Sequence, residues 1–385
     1  MNSPTTALAR HRTPLALLVV GFLAFPGLVA CHSAAAREAR LVANTQTLPH
    51  TDLVLGLEIT SKPEANQFWC ASMAFAWQAL SEELGIPLTF LQESKQADWL
   101  SACPLRAEDL ESGTVFTSAG RGLDALGQLK DKVAEAGLEW EAEDQELADM
   151  VDDGNQMLFA YARLEKDLPF AKRFEDFEAW AIPFRSVETD EPVYVDAFGL
   201  WKYDHSDLPQ EKMAEQVRVH HYTARGDFVV ELVPEGGEDR IIIARLTPGK
   251  TLRESWDAVT ARLTDEPDEV DGGDTLAVPE LSLRLIQSFP SLAGLELADP
   301  AHQGMSIGGA VQDLDLRLDE EGMRVRSRAL LGATAAAYMG PREMICDGPF
   351  LIATMEADDT EPYFVAWIGH PEVLLPQAPS EYQLK

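Results

Sequence analysis

Cys70 stands in an aromatic stretch, Phe68-Trp69-Cys70-Ala71, a setting in which a thiol nucleophile is worth testing for. A cysteine hydrolase needs a thiolate of lowered pKa, an adjacent base and a group that orients the base. His220-His221 could supply the base, and Asp196 or Asp204 the orienting carboxylate. Two features weigh against that chemistry. Apolar residues recur around Cys70 at three- and four-residue steps, which marks a buried thiol. His220 and His221 are neighbours in a strand-like stretch, so they point to opposite faces and only one can reach a given site. No Gly-x-Ser-x-Gly, phosphate-binding loop or dinucleotide fingerprint occurs, and no His/Cys spacing matches a zinc site. Residues 264–274 are acidic enough for Ca²⁺, but their spacing misses the EF-hand pattern and a solvated loop is expected. The residues therefore predict no enzyme and no cofactor.

Cys31 has a different chemistry. Arg10 and Arg12 precede an apolar run over 14–29, and Leu28-Val29-Ala30-Cys31 fits the bacterial lipobox, in which cleavage leaves the cysteine to be lipidated. Pro14 and Pro26, with the short run, argue against a spanning helix. The spacing predicts a signal peptide over 1–30, a tether over 31–51 and one folded domain over 52–385. A lipid on Cys31 would hold that domain at a membrane surface. His32 is not the aspartate of an inner-membrane signal, so the expected place is the outer membrane or cell surface of a bacterial envelope. Cys70, Cys103 and Cys346 remain, an odd number that allows at most one disulfide; Cys70 with Cys103 is one possibility.

Steering these groups requires a large core, and at 46% hydrophobic the chain can build one. Its net charge of −33 excludes nucleic acid and broad docking on anionic lipid, because both would repel it. A solvated acidic surface is the plain reading.

Periodicity predicts helices over 66–84 and 122–137, with Phe68, Met73, Ala76, Trp77 and Leu80 on one face of the first. Strand-like runs follow at 155–162, 191–201 and 216–224. Residues 227–233 and 240–246, around Glu235-Gly236-Gly237-Glu238, read as a hairpin. A short helix is expected over 252–263 and another strand over 274–283. Leu314 to Leu318 alternates strictly and runs into Asp319-Glu320-Glu321-Gly322. The chain closes with a second apolar hairpin, 348–354 and 363–369, around Glu356-Ala357-Asp358-Asp359.

That order resembles the serpin superfamily, and the chain reads as a divergent, serpin-like bacterial lipoprotein. The shared features are a strand ending in Glu-Glu-Gly, a loop of about twenty residues, and a buried hairpin opening at Gly348-Pro349-Phe350. Asn66 with its aromatics, Asp274 to Leu283, and Met305-Ser306-Ile307-Gly308 fall in matching order. The resemblance implies an α+β fold: a serpin-like single domain with one large mostly antiparallel sheet, two smaller sheets and helices in the N-terminal half. It also implies a hinge at Glu320, Glu321, Gly322 and Met323, and a reactive-centre bond near Ala335, Ala336, Ala337 and Tyr338. Small residues there suit an extracellular elastase- or subtilisin-like protease, and Tyr338 a chymotrypsin-like one.

Family inhibitors trap a protease by inserting the cleaved loop into the main sheet, a switch driven by stored conformational energy. Their hinge carries Thr or Ser and then alanines. Here it reads Met323-Arg324-Val325-Arg326-Ser327-Arg328-Ala329, which disfavours fast insertion. Met323, Val325, Ser327 and Ala329 share one face and the three arginines the other. The pattern predicts a hairpin with Leu314 to Leu318, in which the start of the loop is inserted without cleavage. The expected function is a lipid-anchored, non-inhibitory binding or structural module, the alternative being a serine or cysteine protease inhibitor with an atypical loop.

Overall fold

The structure is a computed structural model that describes residues 41–44, 47–121, 125–140, 157–177, 181–189, 191–202, 208–324 and 341–376. Its centre is the C-terminal hairpin. Phe350–Glu356 and Phe364–Ile368 pair antiparallel, and all but Glu356 in these strands is buried. Runs of Leu, Ile, Phe and Val with no polar alternation are what a strand covered on both faces requires. The hairpin occupies the middle of an eight-stranded sheet. In order across it run Asp268–Glu269, Val217–Ala224, Asp227–Leu232, Asp239–Arg245, the hairpin's two strands, Asn66–Cys70 and Thr51–Val54. Every neighbouring pair is antiparallel except the last.

The α+β class and the dominant, mostly antiparallel sheet are as the sequence implies. Ser72–Leu84, Lys95–Ser101 and Ala125–Glu135 are helical in the first half; Leu208–Ala214 and Leu252–Thr260 follow. The remaining strands form sheets of five, four, three and two strands, where two smaller sheets were expected. The division has a local cause. Met157–Leu164 and Val311–Asp319 are not paired with each other, so the former stays in a three-stranded sheet and the latter in a five-stranded one.

Two boundaries differ from the sequence reading. Residues 66–84 were expected to be one helix, yet Asn66–Cys70 is a strand whose residues Gln67 to Cys70 pair with Trp367 to Phe364. An apolar run buried on every side gives helix and strand the same signal, and Phe68 and Trp69 prefer the sheet. The helix begins at Ser72 and stops at Gly85, whose φ of 69° forms the left-handed cap. The folded unit also starts earlier than residue 52. Leu41–Asn44, placed in the tether, pairs in parallel with Leu283 to Ile286.

The three domain cysteines are free thiols, so the disulfide left open above does not form. The acidic stretch 264–274 is only partly a solvated loop. Asp274 is buried and accepts from the guanidinium of Arg342 at 2.9 Å, and Arg342 also reaches Asp268 at 3.1 Å.

Candidate functional site

The expected hinge is built where three strands meet. Val311–Asp319 ends at the Glu320-Glu321 turn and Gly322–Arg324 returns antiparallel to it, with Leu318 opposite Met323 and Arg317 opposite Arg324. On its other side Gly322–Arg324 pairs antiparallel with Asp167–Pro169, placing Met323 opposite Leu168. The start of the loop is therefore a strand held on both edges. Met323 is 1% exposed, and the Arg324 guanidinium points outward, 3.7 Å from the Asp167 carboxylate. That is the alternation read from the sequence, over the residues described. Val325, Arg326, Ser327, Arg328 and the expected reactive-centre residues Ala335, Ala336, Ala337 and Tyr338 lie outside the described residues, as does Cys31.

The hinge is close-fitted. A Cβ on Gly322 would sit 2.5 Å from the carbonyl oxygen of Leu168 and 2.6 Å from Pro169 Cα, so the glycine is required by the approach of two backbones. Glu320 and Glu321 accept backbone bonds from Phe174 and Phe170 at 2.9 and 2.8 Å. The Glu320 side chain is buried and bonded to Arg173. Its carboxylate shares a region with those of Asp176 and Glu280, with ligand oxygens within 4.8 Å of one another. Burial pushes the Asp319 carboxyl above its usual range, although Arg317 is bonded to it.

Below the hinge the two flanking strands stay apart. Ala160 and Ala162 on one side and Val311 to Asp313 on the other line a cavity of about 130 Å³, floored by Ser72, Met73, Ala76 and Trp77 of the helix. Gln312 spans the floor, its amide donating to Ser72 Oγ at 3.2 Å and Cys70 O at 3.4 Å. Its Oε1 is buried and accepts no hydrogen bond among the described residues, an unmet acceptor of the kind a strand N–H can satisfy. Continued in register from Arg324, a strand would run down this cleft. The sequence did not connect Gln312 with Ser72 and Cys70, or Asp167–Pro169 with Gly322–Arg324, because in each case the partners are remote in the chain.

Among the described residues, Cys70 and the histidines are not brought together. Cys70 is buried, and burial raises its pKa, with Ser72 lowering it only in part. Its strand is five strand spacings from the one carrying the histidines, roughly 24 Å at the usual separation. His220 is instead enclosed with Glu231, 2.9 Å away, and Arg240. Burial would raise the Glu231 carboxyl, but His220, Arg240 and Arg218 hold it below its usual value. His221 contacts Asp227 at 3.4 Å, and a register shift between Val219 and His221 interrupts the strict alternation that would have put the two histidines on opposite faces. Asp196 pairs through its backbone, its N–H donating to Leu375 O and its carbonyl accepting from the Glu280 N–H. Asp204 lies outside the described residues.

No family model matches the sequence, and no curated protein matches it. Solved structures do. One is thyroxine-binding globulin in complex with thyroxine, at 13% identity and a TM-score of 0.46 over 80% of this chain and 94% of that one. Another is a tumour-suppressing serpin, at 11% and 0.49 over 80% and 94%. Serpin48 of the insect Tenebrio molitor matches at 14% and 0.41 over 79% and 91%. The last two carry the name of the group that the order of the sequence resembles.

Proposed function

We propose that the chain is a serpin-like protein of the bacterial cell envelope, tethered by a lipid on Cys31, that works as a non-inhibitory binding or structural module. The observation that supports it best is the hinge strand, already paired on both edges with Met323 buried between them. A loop-insertion trap needs its stored energy intact when the protease arrives, and a hinge inserted in advance has released part of it. The arginines that follow Met323 add side chains too long to enter a packed cleft quickly. No catalytic residue is assigned.

A second reading, an inhibitor of an extracellular elastase-, subtilisin- or chymotrypsin-like protease, is favoured by one feature. The cleft beneath the hinge is still open, with the Gln312 acceptor unmet. Mixing the protein with each protease at near-equal ratios separates the two. The expected result is cleavage near Ala336 with no complex on denaturing gels and little change in melting temperature. A denaturant-resistant complex with a large rise in melting temperature would overturn the first reading.

The hinge residues make a further prediction. Replacing Met323 by Thr together with Arg324, Arg326 and Arg328 by Ala gives the small, uncharged strand that insertion favours. The loop-cleaved variant is expected to melt well above its intact form, whereas cleaved and intact wild type differ little. Equal behaviour of variant and wild type would show that the strand register is misassigned.

A further inference from the structure

Away from the hinge, two histidines and a carboxylate from opposite ends of the chain meet at one edge of the eight-stranded sheet. His50 immediately precedes Thr51–Val54, and His370 lies two residues beyond Phe364–Ile368. Glu372 sits in the single turn Pro371–Val373. The two imidazoles stack with centroids 3.9 Å apart and planes inclined by 13°. One ligand atom from each of His50, His370 and Glu372 lies within 4.8 Å of the others.

The surroundings hold these groups in place. Glu372 Oε1 accepts from the His50 backbone N–H at 3.0 Å and the Thr51 hydroxyl at 2.6 Å, which leaves Oε2 on the side of His370, 3.8 Å from Nδ1. The fully buried Asn66 accepts from the N–H groups of Gly369 and His370 at 3.0 and 2.9 Å and donates to the Thr51 hydroxyl at 3.0 Å. Both histidine backbones are thereby tied to one side-chain network. Glu188 Oε2 stands 3.7 Å from His50 Nδ1, the place of a carboxylate that orients a ligating imidazole through its other nitrogen.

Metal takes a neutral imidazole through a ring-nitrogen lone pair. Imidazole nitrogen with one carboxylate oxygen is a donor set for first-row transition cations, not for the hard cations Ca²⁺ and Mg²⁺. We propose that His50, His370 and Glu372 form a site for a divalent transition cation of the zinc class, with Glu188 positioning His50. Water takes the fourth place. Tetrahedral zinc requires donors roughly 3.3 Å apart, and because the lone pairs of the stacked rings lie in near-parallel planes, one imidazole turns out of the stack about its Cβ–Cγ bond for both nitrogens to face the ion. The 3.3 Å contact in which His370 Nδ1 accepts the Glu372 N–H gives way if that nitrogen is the donor. The ion would clamp the edge strand Thr51–Val54 to the end of the C-terminal hairpin.

The test is calorimetric titration of the metal-stripped full chain with zinc chloride, with melting temperature read in parallel. One saturable ion per chain and a rise in melting temperature are expected. His50→Gln and Glu372→Gln should each weaken the binding at least tenfold, and Glu188→Gln by about tenfold, the scale on which orienting partners act. Glu372→Gln keeps an oxygen for the His50 and Thr51 donors, and the His50 side chain is 31% exposed, so both variants report on the site without unfolding it. Absence of saturable binding, or identical titrations for wild type and His50→Gln, would overturn the proposal. Effective competition by equimolar Ca²⁺ or Mg²⁺ would overturn the cation class.

Discussion

A chain ending at Asp347 is expected not to fold. The deletion removes the fifth and sixth strands of the eight-stranded sheet, leaving Asp239–Arg245 on one side and Asn66–Cys70 on the other with no neighbour between them. The lost residues include Phe350, Leu351, Ile352, Phe364, Val365, Trp367 and Ile368, each at most 1% exposed. Burying one such side chain stabilises by about 1.5–3 kcal/mol. Several of them exceed the ~5–15 kcal/mol by which a whole domain is stable. The deletion also creates two long apolar edges, which recruit other chains. Expression followed by circular dichroism and size exclusion checks this: aggregation or an unfolded product is expected. A soluble, cooperatively melting monomer ending at Asp347 would show that the hairpin is an appendage and not the centre of the core.

That hairpin was legible in the sequence because unbroken apolar runs around an acidic turn leave few other readings. So was the alternation on either side of the Glu320-Glu321 turn: Leu314, Leu316 and Leu318 are buried before it, and after it Met323 is buried while Arg324 points outward. What stayed hidden was whatever depends on a partner remote in the chain. Asn66–Cys70 reads as helix until Phe364 to Trp367 are seen beside it. Leu41–Asn44 has too little pattern of its own to stand out from a tether, and it is a strand only because Leu283 to Ile286 receive it. The His50, His370 and Glu372 cluster is of the same kind. Metal motifs are recognised by close spacing, whereas Thr51 and Glu372, bonded here, are 321 residues apart. Cys70 and the histidines are apart for the converse reason: nearness of types in a list of residues says nothing about strands that lie between them.

Lys166→Met is expected to destabilise the protein by about 3–5 kcal/mol, the range for breaking a buried ion pair from one side. Lys166 is fully buried, with Nζ 3.1 Å from Asp239 Oδ1, 3.1 Å from Glu356 Oε1, and 5.1 Å from the centre of the Tyr363 ring. Methionine fills most of the volume but leaves the Asp239 carboxylate, itself 1% exposed, without a counter-charge. The Tyr363 hydroxyl still donates to it at 2.8 Å. Burial, and then Asp239, keep that phenol protonated by raising its pKa. One neutral donor offsets little of the desolvation. Glu356 is about a quarter exposed and regains water on its own. Adding Asp239→Asn to Lys166→Met should therefore recover most of the loss, and a double-mutant cycle read by urea unfolding measures the coupling directly. A single-variant loss below about 1 kcal/mol, or a double variant no better than the single, would contradict this account. The position has a consequence for the hinge as well. Lys166 precedes Asp167, which pairs with Arg324, so the charge network fixes the strand against which the hinge is held. In Lys166→Met, amide exchange at Met323 should accelerate more than in the Asp227–Leu232 strand, and uniform acceleration would mean that the hinge is anchored by its own ladder alone.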